Sequence, residues 1–385
     1  MFSITEAKKK FIFVFMGVLL FLAALLCSCS QTQKLLTIDF SSLQYVVSLS
    51  KDYENKSILV CIDQNGTISQ TISFDGQGIN AVNYFEGNLY LHSSRENRHF
   101  ILTGQGDLET FSLDNIELEG SDTAPSWFTT EGENTLIETM NIGYINGHYE
   151  SAVIYQNNSQ KRTVIIEDFC LENAVDYNGK IYLNASDYLG ERGNVICVID
   201  KPSGTYTFVQ YSHGNTPASG NLIRIKDKIF TYGNNASYLK DMKEKSITCT
   251  LGMLDTRSLK TTEVDYSTDF INLCYSWSDK LYVVTESGYI HIYSDDLTLL
   301  ETIQIDEMDY FDKIYSNNLI VYKKIAEHDD TFSVLFLNSD LDAHNVGFIQ
   351  EYGKTDLHPI RKIDISLSNV DEWMGETVDF IYLNS

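Results

Sequence analysis

Eight histidines, at 92, 99, 148, 213, 291, 328, 344 and 358, are the chain's imidazole donors. None falls in an HxH or HExxH spacing that would place two ring nitrogens on one ion. No acidic run has the oxygen-rich pattern of a calcium loop, so no metal is expected. Ser and Cys nucleophiles fare the same way. There is no GxSxG elbow, and no Cys sits in an obvious Cys-His context. Gly104-Gln105-Gly106 lacks a third glycine and a following helix, so it reads as a turn rather than a dinucleotide loop. Carboxyls are plentiful, with 53 Asp and Glu, and that abundance prevents the sequence from selecting a glycosidase pair. No catalytic residue and no cofactor is therefore assigned. The stretches that read as long loops are better pointers to binding. Glu119–Asn134 carries Trp127 and Phe128, which would stack on a sugar ring or anchor a protein partner. Tyr211–Asn221 carries His213. Asn234–Ser246 and Glu351–Arg361 are also long. His291 lies in the alternating strand Tyr289-Ile290-His291-Ile292-Tyr293, one face of which would line a central funnel or face solvent.

These candidates need a scaffold, and the body of the chain repeats. Ala81-Val82-Asn83-Tyr84-Phe85-Glu86-Gly87-Asn88-Leu89-Tyr90-Leu91 matches Ala174-Val175-Asp176-Tyr177-Asn178-Gly179-Lys180-Ile181-Tyr182-Leu183 with one gap. Related strand–turn–strand copies surround Gly147, Asp227, Asp279 and Asn317, at a mean interval of about 46 residues. Asn-Gly supplies the positive φ angles that a two-residue hairpin demands. Between them lies a second unit, an apolar strand running into a polar turn, as in Leu59–Asp63 and Ile196–Asp200. Four strands per 40 to 50 residues predict an all-β chain built as a β-propeller. Seven units are read, at 43–74, 80–113, 136–168, 175–210, 222–265, 270–305 and 312–350, with six or eight blades as alternatives. The closing strand Val378–Leu383 would complete the first blade and remove the ring's free edges. The pattern resembles bacterial repeat propellers of the quinoprotein-like and YVTN-like kind. Trp127, Trp277 and Trp373 do not keep the register that a quinone-binding repeat would imply.

The first thirty residues say where the chain works. Lys8, Lys9 and Lys10 precede the apolar run Phe11–Leu26, which ends in Leu26-Cys27-Ser28-Cys29. A basic start, an apolar stretch and a small residue before a cut site make an export signal. Leu-x-Ser-Cys resembles the lipobox of bacterial lipoprotein signal peptides. That resemblance implies cleavage before Cys29 and a lipid on its sulfur, because Cys27 would place bulky Leu26 where a small residue is wanted. An uncleaved anchor helix is the alternative. The expected organisation is a signal peptide with lipobox at 1–29, a tether at 30–42 and a propeller at 43–385. The expected location is the extracytoplasmic side of a bacterial envelope, held on the lipid membrane.

A net charge of −25 argues against a nucleic-acid partner and gives the bilayer no electrostatic reason to hold the chain, so the anchor must do so. Five cysteines remain after position 29, an odd number with no CxxC spacing, which argues against a disulfide framework. Cys61, Cys197 and Cys249 lie in apolar runs and read as small buried hydrophobes. The sequence supports a binding or interaction scaffold with a protein or glycan partner, similar in plan to the lipoprotein propeller of the outer-membrane barrel-assembly machine. The alternative is a hydrolase or lyase acting on carbohydrate or peptide at the channel mouth.

Overall fold

Ile79–Phe85 and Asn88–Ser93 show how the repeat becomes structure. Glu86 and Gly87, at φ 50° and 81°, form the two-residue turn between them. Both positive angles match the right-handed twist of paired strands. Lys226 and Asp227 turn their own strands, and Asn178-Gly179 and Ser278-Asp279 do the same with positive φ at both residues. A second device recurs two turns later, between the third and fourth strands. Asp63 Oδ1 accepts from the backbone N–H of Asn65 and of Thr67, each at 2.9 Å. Asp200 holds Ser203 N–H at 3.0 Å, and Asp255 holds Ser258 N–H at 2.7 Å. These Asx turns give the chain a local reason to reverse.

The computed structural model describes residues 33–34, 37–112, 126–132, 135–145, 147–157, 160–187, 193–211, 222–238, 245–267, 269–305, 309–314, 316, 318–368, 370 and 372–383. Its strands form seven antiparallel sheets, so the fold is a seven-bladed β-propeller. Blade 1 takes Leu43–Ser50, Ser57–Asp63 and Ile68–Phe74 from one end of the chain, and Thr377–Tyr382 from the other. Blades 2 to 7 follow at 79–111, 126–167, 169–210, 223–267, 271–304 and 319–366. The first strands of neighbouring blades touch around the ring, which makes them innermost; in blade 1 that strand is Thr377–Tyr382.

Seven apolar clusters fill the spaces between blades, one for each adjacent pair. Alternation along one strand explains this. Tyr45, Val47 and Leu49 face blade 7, whereas Val46 between them faces blade 2. Strands buried on both faces therefore read as unbroken apolar runs. None of the five cysteines after residue 29 forms a disulfide, and Cys61, Cys197, Cys249 and Cys274 are buried in these clusters, as small hydrophobes would be.

The repeat phase slips in two blades. Gly147 follows the second strand of blade 3 rather than its first, and Asn317 falls before the first strand of blade 7. Blade 3 begins instead with Ser126–Gly132, inside the expected loop Glu119–Asn134. Blade 7 ends with Pro359–Ser366, beyond the expected limit at 350 and overlapping the expected loop Glu351–Arg361. Asn234–Ser246 also lies largely in strands, since Lys228–Tyr238 pairs with Lys245–Asp255 along its whole length. The expected tether at 30–42 is partly structured. Gln33–Lys34 pairs with the outermost strand of blade 2, and Ile38 and Phe40 are buried between blades 1 and 2.

Candidate functional site

The connections leaving the innermost strands of blades 2, 4, 5, 6 and 7 lie close to the ring axis, so they collect around one mouth of the channel. Blades 5 and 6 bring Arg224, Lys226, Trp277 and Asp279 there. Blade 7 departs from the two-residue pattern and connects its first two strands through His328, Asp329 and Asp330. Lys354, from the last turn of blade 7, reaches the same face. Together they enclose a cavity of about 510 Å³.

The walls are braced from behind. The ammonium of Lys354 is almost fully buried and donates to Glu327 Oε2 at 2.9 Å and to His328 C=O at 2.7 Å. Tyr275 O–H donates to Lys354 C=O at 2.5 Å. The indole N–H of Trp277 donates to Asp330 Oδ1 at 3.0 Å, which sets the tilt of the ring. Lys226 lies 3.3 Å from Asp279, and the Arg224 guanidinium sits 4.7 Å from the centre of the Tyr177 ring. A cation over an aromatic face is held by the ring quadrupole. The cavity thus presents ammonium, guanidinium and carboxyl groups around one indole.

His328 is the most constrained group in this wall. Its ring stacks on Tyr382 with centroids 3.7 Å apart. Its Nε2 lies 3.0 Å from Ser333 Oγ and 3.3 Å from Tyr45 Oη. Tyr45 O–H donates to Glu351 Oε1 at 2.7 Å, and Gln44 Nε2 donates to that same oxygen at 3.0 Å. Ser333 Oγ also lies 2.6 Å from Tyr45 Oη, so with Tyr45 giving its proton to Glu351 the serine gives its own to Tyr45 and faces His328 Nε2 as an acceptor. Burial, reinforced by the Lys354 charge, lowers the His328 pKa to about 4, so the ring is neutral near pH 7. Burial likewise pushes the Tyr45 hydroxyl well above its ordinary range. Ser333 has no exposed surface, so this Ser–His contact orients the imidazole and presents no nucleophile to a ligand.

A second polar cluster lies between blades 2 and 3, near the opposite face. His92 Nε2 is 2.5 Å from Glu138 Oε1, and both side chains are inaccessible. The His99 ring packs 5.3 Å from His92, and its Nδ1 accepts the backbone N–H of Ser93 at 3.2 Å. Burial, with the charges of His92 and Lys161 adding to it, lowers the His99 pKa to about 2.

Of the expected site residues, Trp127 and Phe128 belong to blade 3 and His291 to blade 6. Trp127 and Phe128 lie within a first strand rather than a loop, opposite Met140 and Thr139. His213 lies outside the described residues. His291 is on the third strand of blade 6, removed from the axis, with Nδ1 2.9 Å from Thr302 Oγ1. Arg224, Trp277, Asp279 and Lys354 were not singled out. Three of them flank or occupy turns legible in the sequence, and that adjacency is the signal that could have found them.

The blades, their closure and this mouth define a seven-bladed β-propeller with a mixed-charge pocket at one end of its axis. No protein-family model and no curated protein sequence matches the chain. Solved structures do. The chain is similar to a hypothetical selenium-binding protein from Sulfolobus tokodaii, at 10% identity over 89% of this chain and 95% of that one, TM-score 0.54. It is similar to cobalt-substituted apocarotenoid oxygenase from Synechocystis, at 7% identity over 93% and 95%, TM-score 0.51. It also matches BamB from Moraxella catarrhalis, at 10% identity over 80% and 83%, with a TM-score of 0.42. At such identities the likeness is one of fold alone. Among the described residues, no three His, Cys, Asp or Glu side chains are grouped to hold a metal ion.

Proposed function

We propose that this protein is an extracytoplasmic lipoprotein, anchored through Cys29, that binds a partner in the bacterial envelope at the mouth formed by blades 5, 6 and 7. The observation that carries the binding role is the 510 Å³ cavity, whose Arg224, Lys226 and Lys354 stand beside Asp279 and Asp329 around Trp277. Mixed charge around an aromatic suits a polar segment of a protein or glycan, since each sign finds a counterpart and the indole offers a stacking face. The bracing of Lys354, Trp277 and His328 keeps these groups in place before binding, which lowers the entropy lost on association.

The test is photo-crosslinking in the native envelope. A benzophenone amino acid is placed at Ser278, an exposed turn residue of the pocket, or at Asn55, exposed on the opposite face. The expected result is one discrete adduct from position 278, lost in the double variant Arg224→Glu, Asp279→Lys, and absent from position 55. Equal adducts from both positions, or none with Cys29 shown to be acylated, would overturn the reading and favour the hydrolase alternative.

A further inference from the structure

The segment that leads to the anchor is fastened to the disc. Ile38 N–H donates to Gly104 C=O at 3.2 Å. Ile38 and Phe40 are 4% and 6% exposed within the cluster between blades 1 and 2, and the Phe40 ring lies 5.3 Å from that of Tyr84. Asp39 caps the short turn Phe40–Ser42 by accepting from Ser41 N–H at 3.1 Å. Upstream, Gln33–Lys34 joins blade 2 as a fifth strand on its outer edge, Gln33 opposite Leu108 and Lys34 opposite Asp107. The chain is thus bound to one rim of the ring at 38–42 and again at Gln33–Lys34.

Cys29 is four residues before Gln33. Four extended residues span at most about 14 Å. We infer that this docked tether mounts the propeller edge-on, with the outer strand of blade 2 against the lipid surface and the pocket of blades 5 to 7 on the far side of the axis. The inference rests on the proposed lipidation of Cys29.

Ring geometry supplies the far side, because in a ring of seven blades 5 and 6 stand opposite blade 2. Register supplies the direction. Ile38 is bonded to Gly104, and Lys34 and then Gln33 lie beside Asp107 and then Leu108, a direction that leads away from the face that holds the pocket. Charge favours the same pose, since standing on a rim keeps both broad faces of a chain of net charge −25 away from anionic headgroups. An unpaired linker of equal length would permit every orientation.

The experiment uses the full-length lipidated protein in phosphatidylcholine–phosphatidylglycerol vesicles that contain a headgroup-nitroxide lipid. A fluorescent amino acid is introduced singly at four exposed positions: Glu109 on the blade 2 rim, Glu301 on the blade 6 rim, Asn178 on the pocket face and Asn55 on the other face. Quenching at Glu109 should exceed that at each of the other three several-fold. Strongest quenching at Asn178 or Asn55 would show a face lying flat, and equal quenching at all four would show free tumbling. Either result overturns the mounting. A twenty-residue Gly/Ser insertion between Ser30 and Gln33 should equalise the four signals; a preference for Glu109 that survives it would overturn the tether as cause. Mass spectrometry of the amino-terminal peptide separates the two readings. A Cys29 without lipid, in a protein that fails to float with vesicles, defeats the anchor and the mounting together. A lipidated, floating protein with the wrong quenching order defeats the mounting alone.

Discussion

His99 should make stability fall in acid, by an amount its surroundings fix. Its pKa is about 2 in the folded protein against an ordinary 6.5. A histidine with a lowered folded pKa binds its proton better when the chain is unfolded. Its neutral form is therefore fully compatible with the fold above pH 6.5, and stability is lost as pH drops below that value. The slope is about 1.4 kcal/mol per pH unit, or roughly 2–3 kcal/mol between pH 6.5 and 4.5. His92, Glu138 and Lys161 lie close by, and other groups also titrate, so the informative quantity is the difference from a variant. His99→Gln keeps an acceptor for the Ser93 N–H and removes the titration. Urea midpoints for both proteins should be measured by tryptophan fluorescence from pH 7.5 to pH 4.5. Wild type should lose roughly 2–3 kcal/mol relative to the variant over that range. A difference that stays constant with pH would refute the reasoning.

Glu172 should behave with the opposite sign. Burial raises its pKa to about 7, so ionisation costs stability as pH rises, and Glu172→Gln should gain roughly 2–3 kcal/mol on wild type between pH 4.5 and 8 in the same titration. Phe380 is fully buried where the two chain ends meet, and Phe380→Ala should cost about 3–5 kcal/mol in urea melts. Tyr45→Phe removes a donor from buried Glu351 and should cost about 1–3 kcal/mol, read as a lower thermal midpoint. Gly87 and Gly347 both have positive φ, but a Cβ at 87 meets open space, whereas one at 347 would strike the Phe336 carbonyl. Gly87→Ala should therefore cost about 1 kcal/mol in a urea melt, and Gly347→Ala considerably more.

Much of the architecture was legible because its turns are chemically marked. Asn178-Gly179 and the Asp-capped reversals at 63, 200 and 255 specify conformations that few other residues adopt, and the apolar runs between them are the doubly buried strands. Local chemistry does not number the turns, however. Asn146-Gly147 has the composition of a first turn and lies after a second strand, because the register is set by pairing of Thr135–Ile145 with both neighbours. The stretch Asn234-Asn235-Ala236-Ser237 reads as loop from propensity alone, and pairing with residues 246–249 overrides it. Pro359 obscured the last strand of blade 7, yet proline is tolerated at the start of an outermost strand. The pocket was the least legible part. Arg224, Trp277 and His328 are separated by about fifty residues each, and only closure of the ring brings them to one cavity.

Closure by Thr377–Tyr382 also has a consequence in time. Ser50 pairs with Thr377 and Val47 with Phe380, so the first blade waits for residues synthesised more than 300 positions later. At about 5–20 residues per second, the strand Leu43–Ser50 exists for roughly 15–65 s before its innermost partner emerges. Throughout that interval it presents an unsatisfied edge, a template for pairing with any other extended chain. A product that stops short of residue 377 never leaves this vulnerable state. The position of the closing strand therefore makes burial of Leu43–Ser50 a report on whether translation passed residue 382.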